Sequence, residues 1–178
     1  SQAESLEEEV KAANEEIRRL NRNLSHTEQD YHTAHTKLES LRNLAERYDG
    51  YGNSIKRVME VRDRVRGIHG VVADLIDVPK EYEIAIETAL GGSIQNIVTD
   101  SEQTAKVLIE HLKKNKFGRA TFLPLSAISS GDGFKTPGAL KEPGAIGIAA
   151  DLVRVRPEYQ ALARYLLGRV LVVDHIDN

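Results

Sequence analysis

The sequence predicts a mixed α/β globule of two related subdomains, preceded by a long coiled-coil α-helix. Three observations predict it: an abrupt break in composition near residue 49, an apolar ladder confined to the residues before it, and a stretch after it that occurs twice. Of the 178 residues, 40% are hydrophobic and 29% charged, enough apolar side chain for a core but too polar for one compact globule throughout. The longest near-apolar stretch, 144–150, is too short to cross a bilayer, so no membrane partner is expected. No basic start followed by an apolar core marks a secretory signal. Cysteine is missing, which excludes disulfides and thiolate metal sites and fits a reducing compartment. A net charge of -3 argues against wholesale capture of nucleic acid, while leaving room for a local basic patch. Ser1 stands where an initiator Met would, so the chain is expected to be a piece of a longer one.

Residues 1–48 hold ten acids and seven bases and contain neither Gly nor Pro. Their apolar ladder climbs in steps of four and three through Leu6, Val10, Ala13, Ile17, Leu20, Leu24, Thr27, Tyr31, Ala34, Leu38, Leu41, Ala45 and Tyr48. A spacing averaging 3.5 residues keeps one narrow stripe facing a partner helix, the coiled-coil condition. The alternative is an amphipathic helix folded back on the globule, but a globule-facing stripe is usually wider. No second long heptad run exists in 49–178, so the seam's partner is expected outside this chain, as a return helix or another copy.

After the boundary at Tyr48-Asp49-Gly50-Tyr51-Gly52, residues 73–91 match residues 150–168 at an offset of 77, with eight of nineteen positions identical. Chance would give about one or two. Each copy carries a helix with one apolar face: Tyr82, Ala85, Ile86, Ala89 and Leu90 in the first, Tyr159, Leu162, Ala163, Leu166 and Leu167 in the second. Pro79 and Pro157 mark the helix starts, and Gly91 and Gly168 stand where a left-handed C-cap is expected. A strand should follow each helix, over 95–99 and 169–173, each running into an aspartate, Asp100 or Asp174. The first unit then continues with a helix capped by Asp100 and Gln103, burying Ala105, Leu108, Ile109 and Leu112, and a strand over 119–123 that Pro124 ends. The second reaches Asn178 where its matching helix should begin, so the chain is expected to end mid-unit. These signals divide the chain into an arm over 1–48, a first subdomain over 49–125, a Gly/Ser/Pro-rich loop over 126–146 and the start of a second subdomain over 147–178.

Signals for catalysis are weak. Gly131-Asp132-Gly133-Phe134-Lys135-Thr136 comes nearest to a phosphate-binding loop, but Phe134 separates Gly from Lys and Pro137 forbids the helix that should follow. His26, His32 and His35 lie on the arm without an acid to complete a ligand set, and His69, His111 and His175 are scattered. Asp74 and Asp151 occupy the same place in both copies, which duplication explains better than a catalytic pair. No catalytic residue, cofactor or metal site is expected.

Two basic clusters say more. Lys56 and Arg57 open a basic run at the start of the globule, and Lys113, Lys114, Lys116 and Arg119 crowd the end of a helix with no acid among them. Either is explained by a solvated face or by complementing the helix dipole, or else by phosphate contacts. With few aromatic residues and no Trp, base stacking is not advertised. The strand over 119–123, with Arg119, Ala120, Thr121 and Phe122, either exposes an edge to another chain or lies inside a sheet. Gly91 and Gly92 either permit close backbone approach or simply stop a helix.

The order of these parts resembles the hinge of structural-maintenance-of-chromosomes proteins, bacterial members above all. Residues 67–74 (GIHGVVAD) look like the hinge opening, 85–92 (AIETALGG) like its first glycine corner, 165–174 (YLLGRVLVVD) like its second unit, and 117–125 (FGRATFLPL) give the most specific match. The resemblance implies a non-enzymatic module in which two copies dimerise through their hinges, the first subdomain of one against the second of the other. It implies a coiled coil running from each hinge, completed by a return helix of the same chain, to a distant ATPase head. It also implies a cytoplasmic, nucleoid-associated protein whose hinge touches DNA without regard to sequence. In the family, a further glycine-rich stretch carrying much of the second subdomain's dimer surface lies beyond residue 178. Read without the resemblance, the residues also allow a coiled-coil adaptor with an α/β ligand-binding module, or an enzyme using the duplicated aspartates.

Overall fold

The computed structural model describes residues 1–49, 51–129, 131 and 133–175. It divides into two units, Ser1–Asp49 and Gly50–Asn178.

The first unit is one helix, α1 (Gln2–Arg47), about 70 Å long at 1.5 Å per residue. Its N-terminus carries a capping box in which Ser1 Oγ accepts from the Glu4 amide at 3.4 Å. No residue of α1 is buried. The larger apolar side chains of the ladder, Leu6 through Leu41, are 40% to 63% exposed, so the stripe lies open along the helix. Tyr48, just past the helix end, is buried.

The second unit contains one motif built twice. In the first copy β1 (Ile68–Val71) leads into the short helix α3 (Val72–Leu75), a 3-10 turn (Lys80–Tyr82), α4 (Glu83–Leu90) and β2 (Ile97–Thr99). The second copy runs β4 (Ala145–Ile148), α6 (Ala149–Leu152), a 3-10 turn (Pro157–Tyr159), α7 (Gln160–Leu167) and β5 (Leu171–Val173). Before the first copy lies α2 (Asn53–Glu60), and between the copies lie α5 (Glu102–Asn115) and β3 (Phe122–Pro124). Every element from β1 through α4 keeps the offset of 77 residues to its counterpart. The strand pairs agree in detail: β1 and β2 are antiparallel with a bulge between Ile68 and Gly70, and β4 and β5 are antiparallel with a bulge between Ala145 and Gly147. The closing strand falls three residues sooner in the second copy. The 3-10 turn Gly91–Gln95 of the first has no helical counterpart there.

The copies meet at equivalent residues. The Asp77 amide donates to the Arg154 carbonyl and the Arg154 amide to the Asp77 carbonyl, both at 2.8 Å. These residues are 77 apart, so each pairs with its own counterpart, which places a local two-fold axis between them. One apolar core spans that axis, drawing Val72, Ile86, Leu90 and Val98 from the first copy and Ala149, Leu162, Leu167 and Val172 from the second. α4 and α7 pack together across it. In the first copy β3 extends the sheet, in the order β1-β2-β3, by parallel pairing with β2.

Five local expectations are corrected. Gly91 caps α4 at φ 51°, ψ -129°, a positive-φ conformation open to glycine but outside the left-handed helical region. Gly168 has φ -69°, and its glycine is required instead by space, because a Cβ there would run into the Arg164 carbonyl oxygen. α5 is capped by Ser101, whose Oγ accepts from the Thr104 amide at 3.3 Å, and not by Asp100. Ala105, Leu108 and Leu112 are buried on α5 while Ile109 stays exposed. The strand expected over 119–123 starts later, at Phe122, and includes Pro124, whose missing N–H is tolerated at a sheet edge.

The shared core sets one stability prediction. Leu162 is fully buried in the shared core, and Leu162→Ala should lower the stability of the globule by about 3 kcal/mol, seen as a lower urea midpoint with an unchanged slope. A shift no larger than that of a surface substitution would show that the two copies do not share a core.

Candidate dimer edge and nucleic-acid surface

β3 is an edge strand. Its inner side faces β2, because the Ile97 amide donates to the Thr121 carbonyl at 2.9 Å. Backbone groups alternate along a strand, so the N–H and C=O of the next residue, Phe122, point to the other side. Among the described residues no strand pairs with that side. Arg119, Ala120 and Thr121, expected on the strand, lie in the irregular segment leading into it. Gly91 and Gly92 are exposed at the end of α4, and a Cβ built on either meets nothing within 4 Å. Positive φ therefore accounts for glycine at 91, and the surface is open at both.

The segment before β3 also joins the two basic clusters. α5 ends with Lys116 in the left-handed conformation at φ 54°, the Phe117 amide reaching the Leu112 carbonyl at 3.0 Å and the Lys116 amide the Lys113 carbonyl at 3.2 Å. That is a Schellman closure with lysine in the usual glycine position. The chain then lies against α2, where the Ser54 hydroxyl donates to the Arg119 carbonyl at 2.6 Å and Asn53 Nδ2 to the Phe117 carbonyl at 3.3 Å. The Arg57 guanidinium sits over the Phe117 ring at 4.8 Å while also pairing with Glu60 at 3.1 Å. Lys56 and Arg57 are thus brought to the same region as Lys113, Lys114, Lys116 and Arg119, far apart though the two clusters are in the chain. Lys113, Lys114, Lys116 and Arg119 are exposed. The pair Lys113–Glu110, 3.6 Å apart and well exposed, is too solvated to neutralise the patch.

Just past β2, Asp100 accepts hydrogen bonds that favour its charged form. Thr104 Oγ1 donates to its Oδ1 at 2.6 Å and Ser101 Oγ at 3.1 Å, and these bonds, Thr104 first, lower its pKa below the ordinary carboxylate value. A lowered carboxylate pKa adds stability above the unfolded value and loses it as pH falls through the folded one. The Asp100 amide donates to the Gly67 carbonyl at 2.8 Å, and a Cβ on Gly67 would run into the Asp100 carboxylate. The Asp174 amide repeats this bond to the Gly144 carbonyl at 2.9 Å. The two aspartates that end the closing strands therefore fasten each copy to the glycine before its first strand.

The family model for the SMC proteins Flexible Hinge Domain matches residues 65–178. The chromosome partition protein Smc of Lactiplantibacillus plantarum is 40% identical over 145 residues, covering 80% of this chain and 12% of that protein. Smc of Desulfitobacterium hafniense is 36% identical over 97% of this chain and 14% of its own length. The chain belongs to the SMC hinge family. Among solved structures, an asymmetric dimer of the Geobacillus stearothermophilus SMC hinge domain aligns with a TM-score of 0.69 at 39% identity, covering 84% of this chain and 66% of that one. The Pyrococcus furiosus Smc hinge domain with an extended coiled coil aligns at 0.60 and 27% identity, covering 80% of this chain and 50% of that one. The chain thus spans about an eighth of the length of the Smc proteins it matches.

Other sequence candidates do not assemble into a site. Asp74 on α3 and Asp151 on α6 are both exposed. Among the described residues no group of His, Asp or Glu has metal-holding geometry, and no helix is long and apolar enough to cross a membrane. His35 stacks on Tyr31 at 5.7 Å on α1. Of the loop over 131–136, Asp132 lies outside the described residues.

Two features were missed in the sequence. His69 Nδ1 lies 2.7 Å from Tyr159 Oη, joining the first strand of one copy to the helix start of the other, while burial and then Glu158 raise the Tyr159 pKa. Nothing in the sequence links positions ninety residues apart in this way. The Asp77–Arg154 pairing was missed too, although its signal was present, since the repeat offset equals their separation.

Proposed function

We propose that this chain is the dimerisation hinge of a bacterial chromosome-partition SMC protein, joining two coiled-coil arms and contacting DNA through phosphates without sequence preference. The observation that carries the dimerisation reading is the open outer side of β3, presented by a chain of the hinge family. The edge of one copy pairs with the second subdomain of the other, with Arg119, Ala120, Thr121 and Phe122 at the junction and Gly91 and Gly92 close by. The open stripe of α1 takes the return helix of the same full-length chain. In this reading 1–48 is the arm, 49–125 the first subdomain, 126–146 the connection and 147–178 the beginning of the second. The hinge is not an enzyme, and ATP binding and hydrolysis belong to the head domains. The full protein works in the cytoplasm, on the nucleoid.

The DNA contact is assigned to Lys113, Lys114, Lys116, Arg119, Lys56 and Arg57, which the α2–α5 packing collects in one region. Such contacts neutralise phosphates and release counterions, so affinity falls steeply with salt.

Two measurements test these readings. Phe122→Pro removes the outward N–H while leaving the Thr121 carbonyl for β2, and should convert dimer to monomer in sedimentation velocity at low protein concentration with an unchanged circular dichroism spectrum. A dimer undiminished by that substitution would remove β3 from the interface. Lys113→Glu with Lys114→Glu should weaken duplex DNA binding at least ten-fold and lower the slope of log affinity against log salt by about two. Unchanged affinity and slope would remove the cluster.

A further inference from the structure

The two copies carry opposite charge at equivalent places. A depression of about 320 Å³ beside α7 is lined by Asp151, Arg154, Gln160 and Arg164. The offset of 77 turns these into Asp74, Asp77, Glu83 and Glu87 in the first copy. One side thus bears four carboxylates where the other bears two guanidiniums and one carboxylate. All eight side chains are exposed. Arg156 adds to the basic side but pairs with Glu158 at 4.0 Å, while Glu81 adds to the acidic side and Lys80 partly offsets it.

The two patches lie side by side. Asp77 and Arg154 are hydrogen-bonded directly opposite one another in an antiparallel bridge, so their side chains project from the same face. The packed helices α4 and α7 also carry two apolar side chains that the core does not use. Ile84 is 84% exposed, more than any other large apolar residue among those described, and Tyr165 is 55% exposed. The face around the local two-fold axis is therefore acidic on one half and more basic on the other.

A face of that kind is complementary to itself. If a second copy is turned by half a revolution about an axis lying in the plane of the face, its basic half covers the acidic half of the first, and the reverse, giving the same contacts twice. We propose that the α4/α7 face is a docking surface for a second copy of this hinge, separate from the β3 edge. Asp77, Glu83 and Glu87 meet Arg154 and Arg164 of the second copy. A contact made largely of exposed charges is weak and salt-sensitive, suited to bringing hinges together reversibly. It does not depend on the proposed edge pairing.

Charge reversal on the whole chain, followed by sedimentation velocity over a concentration series, tests this. Glu87→Lys and Arg164→Glu, each made singly in the Phe122→Pro background, should weaken self-association roughly ten-fold. Glu87→Lys with Arg164→Glu in one chain should restore it, because the two halves have exchanged sign, and added salt should abolish it. A Phe122→Pro chain that stays monomeric at every concentration would overturn the proposal, as would single reversals without effect. A double reversal that fails to restore association would also overturn it, showing that the acidic and basic halves meet something other than each other. Failure of the edge reading looks different: Phe122→Pro then leaves the dimer intact while the charge variants behave as stated.

Discussion

The pairing of Asp77 with Arg154 is the constraint on which the globule depends. Two backbone bonds between equivalent residues fix a local two-fold axis, and the axis obliges each half to offer the other the same apolar side. Neither half, with a few strands and an eight-residue helix, has enough interior to fold alone. Back to back they make one core. The duplicated sequence is thus the physical condition for a stable fold, and each copy is the other's missing layer.

Around that symmetric centre the useful surfaces are the asymmetric ones. The first copy continues into α5 and β3, which supply the sheet edge and the cationic helix end. The chain after α5 is pinned to α2 by Ser54 and Asn53, so the edge and the basic region are placed by the same few bonds. Across the axis, the pair His69–Tyr159 has Ile146 and Tyr82 at the equivalent positions, so the imidazole–phenol hydrogen bond cannot recur there. The charge inversion between the α4 and α7 surfaces belongs to the same pattern. The copies share their element order and corner glycines while differing in sequence both at the bridge itself, Asp77 against Arg154, and on the outer helix faces.

Much of this was legible in the sequence because it is periodic. The ladder from Leu6 to Tyr48 has the 3.5-residue period of a coiled coil, and α1 carries it from Leu6 to Leu41 as an open stripe. The offset of 77 by itself locates both helices and both glycine corners. Detail was lost where two residues of similar chemistry stand side by side. Asp100 and Ser101 can each cap α5, and the choice went to Ser101 because Asp100 is occupied with Thr104 and bound through its backbone to Gly67. The glycines at 91 and 168 look alike in sequence, yet one is needed for its dihedral angle and the other for the space beside Arg164. The gathering of the two basic clusters was not legible at all, since it comes from tertiary packing of α2 against the end of α5.

Native-state amide hydrogen exchange at Asp77 and Arg154 probes the central constraint directly. If each amide is bonded to the other's carbonyl, both should be strongly protected, by similar factors, and should open together. Free exchange at either one, while Val98 in the core stays protected, would contradict a fold organised about this axis.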